Sequence, residues 1–221
     1  MSGDEEDLLS SRKIPFDKKM TTLLVACITR LGDHTDKVVI RRAVSELLIG
    51  DRTYLFFAMR RVSLGDEFPF RDTCPNCDEV SLYPFDLARV QVREMPDPAK
   101  REYGETLPSG KVCTFGCISG ADEKRKERYR KMMKPLTLQI FLRLRSLEGE
   151  DPTPLGVRGL SLRDRDYLRG RFARVDGGVD TTIELTCPLC GHDFERELDP
   201  GQPSFFSPSE TSEIWKRRST T

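Results

Sequence analysis

Apolar positions along the chain fall into short blocks separated by charged and turn-forming stretches, and the same succession of signals occurs twice. Each succession opens with an apolar segment, "TTLLVACITRL" (21–31) or "LTLQIFLRLRSL" (136–147). A helix follows. In the later copy Ser161 precedes Asp164 at an N-cap position, and Tyr167, Leu168, Phe172 and Val175 recur at helical spacing. In the earlier copy the apolar positions are Tyr54, Leu55, Phe57, Ala58 and Val62. Both helices run into glycine, Gly65 or Gly177 with Gly178, where the backbone can take positive φ. Extended stretches, "DEFPFRDT" (66–73) and "VDTTIELT" (179–186), then deliver a cysteine pair, and "EVSLYPFDL" (79–87) and "HDFERELD" (192–199) lead away from it. The pattern predicts an α+β protein made of helix, strand, knuckle and strand, twice over.

The repetition extends to residue identity. Shifted by 113 positions, residues 51–77 lie over 164–190 without a gap, and Asp51, Arg52, Tyr54, Leu55, Arg61, Val62, Gly65, Thr73, Cys74, Pro75 and Cys77 meet identical residues. One unit therefore explains both copies. The copies should be related by an approximate two-fold axis, with Tyr54 and Tyr167 in equivalent, buried places. The expected organisation is a flexible N-terminal tail (1–18), a first unit (19–100), a connecting hairpin and charged helix (101–135), a second unit (136–208) and a C-terminal tail (209–221). Within the connection a strand carries "KVCTFGC", and a helix begins near Asp122 and stops at Pro135. In the C-terminal tail, Trp215 is a candidate anchor on a partner.

Composition narrows the classes of function. The 36 basic and 36 acidic residues cancel, which argues against non-specific nucleic-acid binding, since that needs a positive surplus. The basic run "KRKERYRK" (124–131) reads as a solvated helix face within that balance. An acidic start and no long apolar run predict a soluble chain made in a cytoplasm and not in a membrane. In that compartment seven cysteines favour metal ligands and free thiols over disulfides.

Two CxxC pairs, each ending a strand-like segment, point to a shared structural zinc held by Cys74, Cys77, Cys187 and Cys190. Such a site is closed and stabilises the fold without catalysis. The redox alternative needs each pair at a helix N-terminus, whereas "GHDFERELD" alternates as a strand. His192 could replace a thiolate, although a histidine beside a knuckle more often lies outside the ligand shell. His34 reads as a surface residue, Cys27 as core, and Cys113 and Cys117 as small buried hydrophobes on one face of a strand. With two histidines, no acid/base pair and no activated nucleophile, the chain offers no catalytic constellation and no small-molecule site.

The stretches "ELLIGDRTYLFFAMRRVSLGDEF", "CPNC", "LPSGK", "GADE", "VDGGVDTTIELTCPLCGHDF" and "SFFSP", in this order, resemble the baseplate hub or assembly proteins of contractile-tailed phages, the family named for the T-even phage baseplate. The likeness covers residues 20 to 208, and "KVCTFGCISGADE" departs from the family's apolar strand by carrying two cysteines. The resemblance implies a non-enzymatic role in the virion's tail baseplate, in contact with hub, tube, wedge or other baseplate proteins. A cytoplasmic assembly chaperone absent from the finished virion is the alternative, and a zinc-ribbon nucleic-acid binder a more distant one.

Overall fold

The structure is a computed structural model that describes residues 3–11, 14–202 and 205–206. The expected C-terminal tail, 209–221, and Trp215 lie outside the described residues. Helices and antiparallel strands are mixed without βαβ alternation, so the α+β reading holds. Among the described residues no helix is long and apolar enough to cross a membrane.

Two compact units divide the chain. The first takes residues 1–40, 53–92 and 179–221, and the second takes 41–52 and 93–178. Each is thus assembled from stretches far apart in sequence. Both hairpins that carry a Cys-x-x-Cys pair fall in the first.

The first unit opens with α1 (Gly3–Ser10) and α2 (Phe16–Cys27). Residues of the expected N-terminal tail are therefore helical, and Lys19 Nζ donates to the Leu9 carbonyl at 2.6 Å to tie the two helices. Helix α2 buries Met20, Leu23, Leu24 and Val25, while Cys27 at its end is half-buried. Asp36 caps α3 (Lys37–Glu46) by accepting from the Val38 amide at 2.7 Å. Helix α3 passes into the second unit after Ile40, whereas most of α4 (Ile49–Leu64) lies in the first. Its buried residues there are Phe56, Phe57 and Arg60, not the stripe the sequence suggested. Val62 is 90% exposed, whereas its sequence counterpart Val175 is core. Tyr54 and Tyr167 are both exposed, contrary to expectation.

Phenylalanine supplies the first unit's core. Phe56 packs against Phe16, Phe205 and Phe206 with ring centroids 5.5, 6.1 and 4.8 Å away. Arg60, 4% exposed, is buried there. Its guanidinium donates to the carbonyls of Phe205 (2.7 Å), Gly65 (2.7 Å) and Glu67 (3.0 Å). A buried cation is tolerable when its donors are satisfied, and here it also holds the end of α4 to the Phe205 segment.

Two hairpins complete the unit. In the first, β1 (Phe70–Thr73) pairs with β2 (Val80–Tyr83), and in the second β8 (Thr182–Thr186) pairs with β9 (Asp193–Glu197); the two-residue strands β3 (Val92–Arg93) and β7 (Gly178–Val179) fall between them in the sequence. Their registers match: Thr73 faces Val80 and Thr186 faces Asp193. Asp78 (φ 56°) and Gly191 (φ 73°) hold the same left-handed place at the two tips. Gly65 (φ 82°) and Gly178 (φ 146°) likewise use the freedom that the sequence assigned to them.

The second unit is built on a three-stranded antiparallel sheet of β4 (Glu102–Thr106), β5 (Val112–Gly116) and β6 (Leu144–Leu147), with β5 central. Helices α5 (Glu123–Tyr129), α6 (Pro135–Arg143), α7 (Pro154–Arg158) and α8 (Leu162–Val175) accompany it. The charged helix α5 ends at Tyr129, before Pro135, and that proline instead opens α6, where its missing N–H costs nothing. Phe115 centres the core, stacked on Tyr103 at 5.4 Å and edge-on to Phe172 at 4.9 Å. Asp164, 1% exposed, joins the β4–β5 turn to α8 by accepting from the Ser109 amide (3.0 Å) and the Ser161 hydroxyl (2.8 Å). Burial opposes its ionisation, yet these hydrogen bonds hold it below the ordinary carboxylate value. In the same unit Arg52, fully buried, donates to Glu123 at 2.5 Å.

Two outcomes follow from this packing. A Cβ at Gly120 would sit 2.2 Å from Arg52 Nη1 and 2.9 Å from the Ser45 carbonyl. Gly120→Ala should therefore lower stability by about 1–3 kcal/mol, read from urea unfolding. A Cβ at Gly191 would meet nothing within 4 Å, so only backbone strain opposes it. Gly191→Ala should cost about 1 kcal/mol, and Asp78→Gly less than that, in the same assay.

Candidate metal centre

Each cysteine pair sits on a turn that its own backbone closes. In the first, the Cys74 amide donates to the Glu79 carbonyl and the Asp78 amide to the Cys74 carbonyl, both at 3.0 Å. In the second, Cys187 donates to His192 and Gly191 to Cys187, both at 2.9 Å. These are the same bonds 113 residues apart. A left-handed residue is needed after the second cysteine to reverse the chain, and aspartate or glycine provides it at low steric cost.

The two tips meet. Cys74 Sγ lies 3.7 Å from Cys190 Sγ, and Cys77 Sγ lies 3.8 Å from Cys187 Sγ. All four sulfurs lie within 4.8 Å of one another. Four thiolates ~2.3 Å from a central zinc would sit at tetrahedron corners about 3.8 Å apart. The donor set fits a tetrahedral thiophilic ion in both number and spacing. No pair is at bonding distance, and all four cysteines are free thiols.

Polar groups around the sulfurs favour thiolate in places and oppose it in others. Burial works against ionisation at Cys187, but amide donors from Cys190 and Leu189 outweigh it and hold the thiol down at about 6. Cys190 is also lowered, chiefly by Asn76, whose Nδ2 donates to its sulfur at 3.5 Å. The Glu79 amide favours the Cys77 thiolate, yet burial and the three neighbouring sulfurs push it up to about 12. So crowded a set of sulfurs loses all its protons only when a cation takes their place.

A salt link clasps the hairpins beside the sulfurs. Arg196 on β9 donates from Nε to Asp72 at 2.5 Å and from Nη2 to the Thr73 carbonyl at 3.0 Å. Its guanidinium also lies over the Phe194 ring, 5.1 Å from the centroid. The sequence pattern did not single out Arg196, Asp72 or Asn76, because each is an ordinary surface type whose partner lies far along the chain.

The remaining candidates fall elsewhere. His192 is exposed and contributes its carbonyl to the turn, outside the four-sulfur cluster. His34 is exposed in a turn, with reciprocal backbone bonds to Leu31. Cys113 and Cys117 are buried in the second unit's core among Tyr103, Phe115 and Leu144. Burial raises both thiols, Cys113 to about 11. Neither cysteine pair precedes a helix; β2 and β9 follow them, so the helix dipole that activates a redox dithiol is missing there.

The chain matches the family model of the T4 bacteriophage base plate protein over residues 1–140, which includes Cys74 and Cys77 but not Cys187 and Cys190. A search of the curated proteins finds no match, and neither does a search of the solved structures. The match covers more than half of the 221 residues, and the chain belongs to the T4 bacteriophage base plate protein family.

Proposed function

We propose that this chain is a non-enzymatic structural component of a contractile phage tail baseplate, in the hub region, stapled by one zinc ion on Cys74, Cys77, Cys187 and Cys190. The observation that carries the zinc reading is the near-tetrahedral spacing of the four sulfurs, on two hairpin tips of identical register. Four protein ligands leave no open position for water or substrate, so the ion's work is mechanical. Its binding would be folding free energy for the first unit. Family membership supports the baseplate assignment.

The chain acts by contact with other baseplate, hub, tube or wedge proteins. Balanced charge suits docking against several protein surfaces and supplies no field for nucleic acid. The two knuckle hairpins descend from one duplicated unit; matching turn bonds and matching left-handed tip residues support that reading. The helices that precede them, α4 and α8, have since come to bury different faces.

Purified chain should carry one zinc per molecule by elemental analysis, and a Cys187→Ser, Cys190→Ser double variant should lose it. Full metal content in that variant would end the shared-site reading. Protons compete for thiolates, so zinc should be released as pH falls. Release as pH rises would contradict the ligand set.

The functional assignment is tested on particles. Mass spectrometry of gradient-purified virions should find the chain in fixed stoichiometry, and the double variant should be under-incorporated. Virions that lack the chain while still needing its gene to form would make it an assembly chaperone instead.

A further inference from the structure

Tyr83 is a core residue of the first unit whose hydroxyl calls for an explanation. It is 3% exposed, and its oxygen is buried with no hydrogen bond closing on it. A buried hydroxyl without a partner is disfavoured, and phenylalanine would fill the same space without one. The ring cannot swing out to water. It is held between Phe70, 6.0 Å away across β1–β2, and Phe194 of the second hairpin, 5.7 Å away and edge-on. The polar groups beside the hydroxyl are the Cys187 sulfur and the side chain of Ser81, itself buried two residues earlier on β2.

We propose that Tyr83 is a positioning residue of the metal centre, whose hydroxyl donates a hydrogen bond to the Cys187 thiolate when the four sulfurs hold their ion. This rests on the zinc reading above. Four thiolates carry more negative charge than a divalent ion neutralises, and a partly buried anionic cluster needs donors around it. Amides supply some of them: Asn76 donates to Cys74 at 3.4 Å, and Cys190 and Leu189 donate to Cys187. Tyr83 adds a side-chain donor from the opposite hairpin. A phenol keeps its proton at neutral pH, so the hydroxyl is available as a donor. A neutral thiol is a weak acceptor and a metal-bound thiolate a much stronger one. A hydroxyl that donates to that thiolate in the loaded centre adds to metal affinity.

Tyr83→Phe in the full chain separates this from packing, because it removes one oxygen and leaves the ring. Chelator competition should show zinc bound 10–100-fold more weakly, about the range seen when a group supporting a ligand is lost. The sulfur-to-metal charge-transfer band of the cobalt-loaded variant should shift from that of the wild type. That spectrum is read on the loaded chain, so it reports on the sulfur however well the metal-free variant folds. Equal zinc affinity and an unshifted cobalt band would overturn the role of Tyr83 while leaving the centre intact. A wild-type chain that binds neither metal would overturn the centre itself, and the two failures are told apart by the wild-type control.

Discussion

The meeting of four sulfurs at the tips of two hairpins is the constraint on which the first unit turns. Each hairpin has only two strands, and an isolated two-stranded hairpin is marginal in water. Strand β9 alternates between exposed and half-buried residues along its whole length, while Phe70, Tyr83, Ile183 and Leu185 are buried on the other three strands. Among the contacts that join them are the sulfur cluster with its Asn76–Cys190 bond, the Arg196 link to Asp72 and the Thr73 carbonyl, and the Tyr83–Phe194 contact. The salt link is partly exposed, and exposed pairs contribute little. An ion bound by all four thiolates would contribute far more than either remaining contact.

How that constraint is written into the chain explains what could be read from it. The knuckles are legible because a tight turn presenting two thiolates leaves few choices of residue: a strand to bring the chain in, Cys-Pro-x-Cys, then a residue able to take positive φ. Asp78 and Gly191 meet the last requirement with different side chains, so identity alone hides an equivalence that the backbone shows. The strands that lead in were legible too, since the extended stretches 66–73 and 179–186 each run into the first cysteine of a pair.

The helices were read less well, and α4 shows why. Its apolar residues suggested a stripe through Tyr54 and Val62, yet Arg52 and Arg60 are buried while Tyr54 and Val62 are exposed. Periodicity assigns charge to the outside. An arginine can go inside only when enough acceptors converge on it, and some of those acceptors come from distant parts of the sequence. Glu123 lies 71 residues from Arg52, and Phe205 lies 145 from Arg60. No local window contains them. The same holds for Asp164, which looks like a helix-start acid in sequence but also fixes the turn at Ser109, 55 residues away. Tyr83 was passed over because an alternating strand expects an aromatic there, and only the position of its oxygen separates filler from function.

The sulfurs that must meet are 110 and 116 residues apart, with the second unit occupying most of the chain between them. So long a separation carries a smaller penalty than it first suggests. Loop closure grows only logarithmically, about 0.6 kcal/mol for each doubling of length. Inserting a whole unit between two halves of a metal site is therefore thermodynamically mild, provided the halves are prepared to bind on meeting. The hairpins meet that condition locally. Their turn bonds run within each tip, and Asn76 on one tip already donates to Cys190 on the other. Preorganised halves would let two-stranded hairpins hold four sulfurs at metal-binding spacing without the larger continuous core that would otherwise be required.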